Sequence, residues 1–258
     1  MSGFVDIDQW YSDFCNVAYR ENHPTRLQII RLFQRLWELR HTDAVQAARL
    51  CDQVISLAQS LPDAPCMLLY ARYWRVELYA EYLADMEAAL DYAVQNVTLS
   101  TGEAYRDCPG RAKVYWSLIK TYAYIDAVGY ADEVLEMIAY ASTELPLDWH
   151  THLQLMGMHA RIHLSLENLE RAREIALQYL ATDNLPGLRL YSAHGYMMDI
   201  ELDAGNLPAA IVHAEQAIEA ARRIGHQAGI ALSTLELAAL QQHIGDPPNA
   251  DRNFRTGL

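Results

Sequence analysis

The sequence predicts an all-α fold, an α-α superhelix: a solenoid of about six helical hairpins. Three observations carry this. Apolar and small residues recur at helical spacing, the pattern returns six times in register, and turn residues bracket each stretch. In the segment that follows Asn206, the positions Leu207, Ala210, Ile211, Ala214, Ala217, Ile218 and Ala221 have offsets 0, 3, 4, 7, 10, 11 and 14. Those offsets lie on one face of an α-helix, and the alanines let a neighbouring helix approach closely.

The same pattern follows Asp43 (Ala44, Ala47, Ala48, Cys51, Val54, Ile55, Ala58), Asp85 (Met86, Ala89, Leu90, Ala93, Val97), Tyr130 (Ala131, Val134, Leu135, Ile138, Ala141) and Asn168 (Leu169, Ala172, Ala176, Tyr179, Leu180). A last copy opens with Gly245-Asp246-Pro247-Pro248-Asn249-Ala250. Equivalent positions are Ala47, Ala89, Val134, Ala172, Ala210 and Ala250, with successive spacings of 42, 45, 38, 38 and 40. A period near 40 fits one hairpin per unit. A partner helix is predicted before each copy, at about Arg26 to Arg40, Cys66 to Leu83, Arg111 to Ala127, Trp149 to Leu166, Leu188 to Asp203 and Gln227 to Ile244. Gly205-Asn206 and Gly245-Asp246 read as a helix end followed by a cap, as do His41-Thr42-Asp43 and Val128-Gly129-Tyr130. Between units, prolines at Pro62, Pro109, Pro146 and Pro186 stop one helix and admit the next. An extra helix, about Asp6 to Arg20, precedes the array as a capping element over 1–23, and the hairpins fill 24–258 of a single repeat domain. No stretch alternates like a strand.

Bulk properties exclude several classes. The net charge is −13, and the only lysines are Lys113 and Lys120. Nucleic-acid binding draws on many phosphate-neutralising cations, and anionic membranes ask the same, so neither is an expected partner. No apolar run approaches the roughly 20 residues of a membrane span, and Met1-Ser2-Gly3-Phe4-Val5-Asp6 has no signal-peptide pattern. The expected compartment is the cytoplasm. None of Cys15, Cys51, Cys66 and Cys108 forms a CxxC pair, so reduced thiols are expected, with Cys51 in the core.

Gly205-Asn206-Leu207-Pro208-Ala209-Ala210-Ile211 with Ala217-Ile218, and the stretch Leu240 to Ala250, resemble the second half of a tetratricopeptide repeat (TPR). The resemblance is clear over 149–258 and degenerate over 24–148. Ordinary TPRs repeat every 34 or so residues. The longer unit here is similar to the sensor-domain repeats of maltose-operon activator-type regulators, and Gly225 to Gly245 resembles them most. Their nucleotide-binding loop and helix-turn-helix are missing, so the resemblance implies the repeat module alone. In TPR solenoids the first helix of each hairpin lines the concave surface. That register places Trp74, Glu81, Trp116, Lys120, Asp126, Arg161 and Asp199 in a groove that takes a partner peptide or helix.

Other clusters carry less specific signals. His150, His152, His159 and His163 share one helix, and His at i and i+4 can ligate zinc. The segment lacks the Glu of HExxH, however, and His159 and His163 fall at interior positions of the repeat. No metal site and no cofactor are therefore expected. The aromatic stretches Tyr70, Tyr73, Trp74, Tyr79, Tyr82 and Tyr115, Trp116, Tyr122, Tyr124 suit either a core or an interface. The run of Arg26, Arg31, Arg35 and Arg40 around Phe33 and Trp37 suits an acidic partner or simply a solvated helix face. No GxSxG, P-loop, GxGxxG, HExxH or CxxC motif occurs, so no enzyme is expected.

The leading expectation is a protein-interaction scaffold whose partner is another protein or peptide. The alternatives are a ligand- or peptide-sensing module of a signalling or transcription regulator, and a metal-dependent enzyme using the histidine helix. The short last helix, Asn249 to Leu258, could dock a second copy of the chain.

Overall fold

A computed structural model of the chain describes residues 4–257. Within that range there are thirteen α-helices and no strand. The helix α1 (Ile7–Arg20) comes first, and six hairpins follow it. They are α2 (Pro24–Leu39) with α3 (Ala44–Gln59), α4 (Pro65–Glu77) with α5 (Met86–Ser100), α6 (Arg111–Asp126) with α7 (Ala131–Glu144), α8 (Trp149–Ser165) with α9 (Leu169–Leu180), α10 (Gly187–Asp203) with α11 (Leu207–Arg223), and α12 (Gln227–His243) with α13 (Pro247–Gly257). No described helix is long and apolar enough to cross a membrane. The chain divides into two compact units at His152/Leu153.

In the first unit each helix packs on the next from α1 to α7, and α4 also packs on α6. First helices therefore stack on first helices, as a solenoid requires. The small residues do what their spacing implies. Ala47, Ala89, Ala93 and Ala141 are wholly buried, and Ala89 and Ala93 let α5 close on Val76 and Leu118 of the flanking first helices. Cys51 is buried as expected, and its thiol donates to the Ala71 carbonyl over 3.3 Å. Helix starts are capped by Asp43, which accepts from the Gln46 amide, and by Asp85, which accepts from the Ala88 amide.

Three features of this unit depart from the simple repeat. Helix α4 ends in a π-helical turn, Leu78–Tyr82, and a short 3-10 turn, Glu103–Tyr105, lies in the connection after α5. These extra residues lengthen the first two repeat spacings. Cys66 and Cys108 are joined by a disulfide, with Cα atoms 5.1 Å apart. The expectation of four reduced thiols is thus corrected for this pair. Spacing rules recognise CxxC, whereas this pair is 42 residues apart and is brought together only by the stacking of α4 on the α5–α6 connection. Finally, α1, expected as an end cap, lies across the first helices. Its Tyr11 meets Phe33 of α2 and Tyr70 of α4 at 6.1 Å each. The residues before it reach further, with the Val5 amide donating to Leu147 over 2.8 Å and Phe4 against Trp149 at 5.1 Å.

In the second unit Ala160, Ala172, Ile175, Ala176, Met197 and Ile200 form one core, and Met198, Ala210, Ala214, Ile218, Leu237 and Leu240 form the next. Gly205 and Gly245 end α10 and α12 at φ +74° and +78°, a conformation that favours glycine. Asn206 differs from its expected role. It makes no side-chain cap, and its amide instead donates to Glu201 over 2.8 Å, which also holds Arg173 at 2.9 Å.

Candidate functional site

A cleft of about 560 Å³ in the first unit is lined by Asp8, Tyr11, Phe33, Gln34, Trp37, Glu38 and Tyr70. Three elements build it. Helix α1 supplies Asp8 and Tyr11, one turn apart on one side. Helix α2 supplies Phe33, Gln34, Trp37 and Glu38, whose i, i+4 spacing stacks Phe33 above Trp37. Helix α4 supplies Tyr70 to the floor. Phe33 and Tyr70 are buried and fixed by packing, whereas Trp37 is 42% exposed.

The rings form walls at several angles. Phe33 and Tyr70 are near parallel with centroids 5.8 Å apart, while Tyr11 stands edge-on to Phe33. Trp37 leans on Trp74 of α4 at 4.8 Å, and Trp74 meets Tyr70 edge-on at 6.3 Å. Aromatic pairs at such distances add some stability beyond their burial and hold the walls in place. The carboxylates Asp8 and Glu38 stand exposed at the rim. Glu38 pairs with Arg35 at 2.7 Å on the open surface, where such a bond is weak. Among the described residues Asp8 makes no ion pair. Burial pushes the Tyr70 hydroxyl above its ordinary range, with Asp8 and Asp148 adding to the effect. Burial also raises Tyr11. Both hydroxyls stay neutral, with Tyr11 hydrogen-bonded to Cys15 and Tyr70 to Trp74.

The groove residues expected from the repeat register separate into three groups. Trp74, half-buried, supports the cleft wall through Trp37. Lys120 and Trp116 lie deeper in the stack, whereas Glu81 is exposed beside Lys120. Lys120 is 3% exposed, and its ammonium donates to Glu77 at 2.8 Å and Glu81 at 3.0 Å. Trp116 is buried, and its indole Nε1 has no hydrogen-bond partner. Asp126 is at the exposed end of α6, where its carboxylate accepts from the Gly129 amide at 2.8 Å and closes the turn to α7.

Arg161 and Asp199 belong to the second unit, and the structure brings them near each other. Asp199 lines a smaller cleft of about 280 Å³ with Met198, Leu202, Glu236, Ala239, Leu240 and His243. Burial, Glu236 and Asp203 push its carboxyl up to about 6, against the pull of Arg161. Burial likewise raises Glu236.

The histidine helix shows packing contacts. Trp149 and His152 stack at 5.7 Å, and His159 and His163 lie 5.0 Å apart. Burial lowers His159 to about 4, helped by the charges of His163 and Arg171. Among the described residues no three His, Cys, Asp or Glu side chains gather as a cation cage.

Sequence reasoning missed Asp8, Tyr11, Gln34, Glu38 and the role of Phe33 and Trp37. The run from Arg26 to Arg40 did flag this helix, but by its arginines. Three of them are already engaged. Arg26 is buried against Asp63, Arg35 pairs with Glu38, and Arg40 lies over the Trp37 ring at 5.0 Å. The face turned to the cleft is aromatic and acidic.

No protein-family model matches the chain, and no curated protein is similar to it in sequence. Its structure is similar to the crystal structure of BtubC (BKLC) from P. vanneervenii, at 16% identity and a TM-score of 0.44, over 95% of this chain and 84% of that one.

Proposed function

We infer that this chain is a helical-repeat binding protein of the TPR kind, a scaffold that takes a peptide or helix from a partner along its stacked first helices. The observation that carries the reading is the cleft between α1, α2 and α4. It is concave, walled by four aromatic rings and rimmed by polar groups, and its volume is in the range of small-ligand and short-peptide sites. Tyr and Trp are the side chains that most often anchor such contacts. Nothing in the cleft pairs a nucleophile with a base, so binding rather than chemistry is the reading it supports.

The test is a selection from a displayed library of 12-residue peptides on the whole protein. Enriched peptides should bind the wild type and lose at least tenfold affinity for Trp37→Ala and for Trp74→Ala. Enriched peptides whose binding ignores both variants would place recognition elsewhere and overturn the assignment.

A further inference from the structure

Resting on the binding reading above, we propose that the α1–α2–α4 cleft recognises the cationic side chain of a basic peptide, an Arg or Lys inserted between the aromatic walls. Four features of the site converge on this chemistry.

Ring orientation is the first. Tyr11, Phe33, Trp37 and Tyr70 line the cavity at mixed angles, with Tyr11 at 72° to Phe33 and Phe33 at 29° to Tyr70, and Trp37 is the exposed ring among them. A cation seated against the Trp37 indole gains a π-face contact, and such contacts are worth most when solvent is excluded.

Charge is the second. Among the described residues the acidic side chains lining the cavity are Asp8 and Glu38, no basic one lines it, and Asp8 makes no ion pair. A guest cation supplies what the rim lacks. An acidic guest would meet two carboxylates, and an uncharged apolar guest would leave the Asp8 carboxylate covered without a partner, which is unfavourable.

The third is that the cage wall already holds a cation. The Arg40 guanidinium lies over Trp37 at 5.0 Å and is anchored by donating to the Trp37 carbonyl at 2.6 Å. The indole that forms the outer wall thus attracts guanidinium within the chain itself. Arg40 does not line the cavity, so the inner surface remains for the guest.

Long-range steering is the fourth. A net charge of −13 favours encounter with basic segments and disfavours acidic ones.

The decisive probe is a labelled peptide, acetyl-Gly-Arg-Gly-Lys-Gly-Arg-Gly-amide, titrated into the whole protein by fluorescence anisotropy. Its counterpart has citrulline for each arginine and norleucine for the lysine. The basic peptide should bind saturably and at least tenfold tighter than the neutral one. Trp37→Ala and Asp8→Asn should each weaken it at least fivefold. Both residues are exposed, and an unchanged melting temperature verifies that the variants fold.

Equal binding of the two peptides, lost together in Trp37→Ala, would overturn the cation assignment while leaving the groove reading intact. Basic-peptide binding that both variants leave untouched would show diffuse attraction to an acidic surface and would also overturn it. Absence of saturable basic-peptide binding would do the same, and library peptides that depend on Trp37 and Trp74 but lack Arg and Lys would then assign the groove to other sequences.

Discussion

The Lys120 ammonium donates to the Glu77 carboxylate over 2.8 Å, from one first helix to the next, with side-chain exposures of only 4% and 14%. Glu81 completes the arrangement at 3.0 Å from the π-helical turn that ends α4. Burial pushes the Glu77 carboxyl up against the pull of Lys120. Burial also pulls Lys120 down, but Glu77 and Glu81 outweigh it and hold the amine above its ordinary value.

Removing the cation strands a buried carboxylate. Lys120→Met should destabilise the protein by about 3 kcal/mol at pH 8. With its folded pKa raised further above the unfolded value, Glu77 contributes stability at acid pH that is lost as pH rises. The gap between variant and wild type should therefore widen from pH 4.5 to pH 8 in urea melts. Adding Glu77→Gln should close most of it. A pH-independent gap would mean that lost packing, not charge, is responsible.

The Cys66–Cys108 bond closes a loop over a sequence separation of 42. Chain-entropy arguments give such a crosslink about 4 kcal/mol. The unfolded, non-reduced protein should titrate two thiols, from Cys15 and Cys51, and four after reduction. Cys66→Ser with Cys108→Ser should lower the melting temperature by several degrees. Four thiols in non-reduced protein would refute the pairing.

Asp199, pushed up to about 6 by burial and by Glu236 and Asp203, has a folded pKa above the unfolded value. Its contribution is present in acid and is lost as pH rises through about 6. Asp199→Asn should raise the melting temperature at pH 8 and leave it unchanged at pH 4.5. Arg161→Met, which removes the compensating charge, should do the opposite at pH 8.

His194 and His213 meet with Nδ1 atoms 3.2 Å apart. Burial and the neighbouring ring bring His194 down to about 4, and burial lowers His213 despite Glu201. The unfolded chain binds more protons in this range, so stability should fall as pH drops from about 6.5 toward 4. His194→Asn combined with His213→Gln should flatten that slope. An unaltered slope would assign the acid sensitivity to other groups, with half-buried His159 next in line.

The helices were legible because their determinants are local. A 3–4 spacing of alanines and β-branched residues marks the buried faces, and Asp43, Asp85 and Asn168 mark the starts through side-chain caps within three residues. The site was legible only in part. Trp74 was expected at a groove from the repeat register, and it is found behind the cleft wall, against Trp37. Lys120 and Trp116 were expected at the groove surface, but their depth depends on α4 packing directly against α6 and on the π-helical turn that carries Glu81, and neither leaves a periodic signal. Asp8 and Tyr11 were out of reach for a different reason. Their partners Phe33 and Tyr70 are distant in sequence, and nothing in α1 alone announces where the helix will lie. The disulfide falls in the same category.

That disulfide also makes the two units unequal under load. A chain pulled from its ends can lengthen only through residues that no crosslink bypasses. The segment from Cys66 to Cys108, a sequence separation of 42 worth about 140–150 Å of extended chain, stays withheld until the bond is reduced. The helices from α9 to α13 have no such tether among the described residues and are held by alanine-lined contacts and by side-chain pairs such as Arg173 with Glu201. Under load those helices can give up their full contour length, whereas the segment from Cys66 to Cys108 cannot until its bond is reduced.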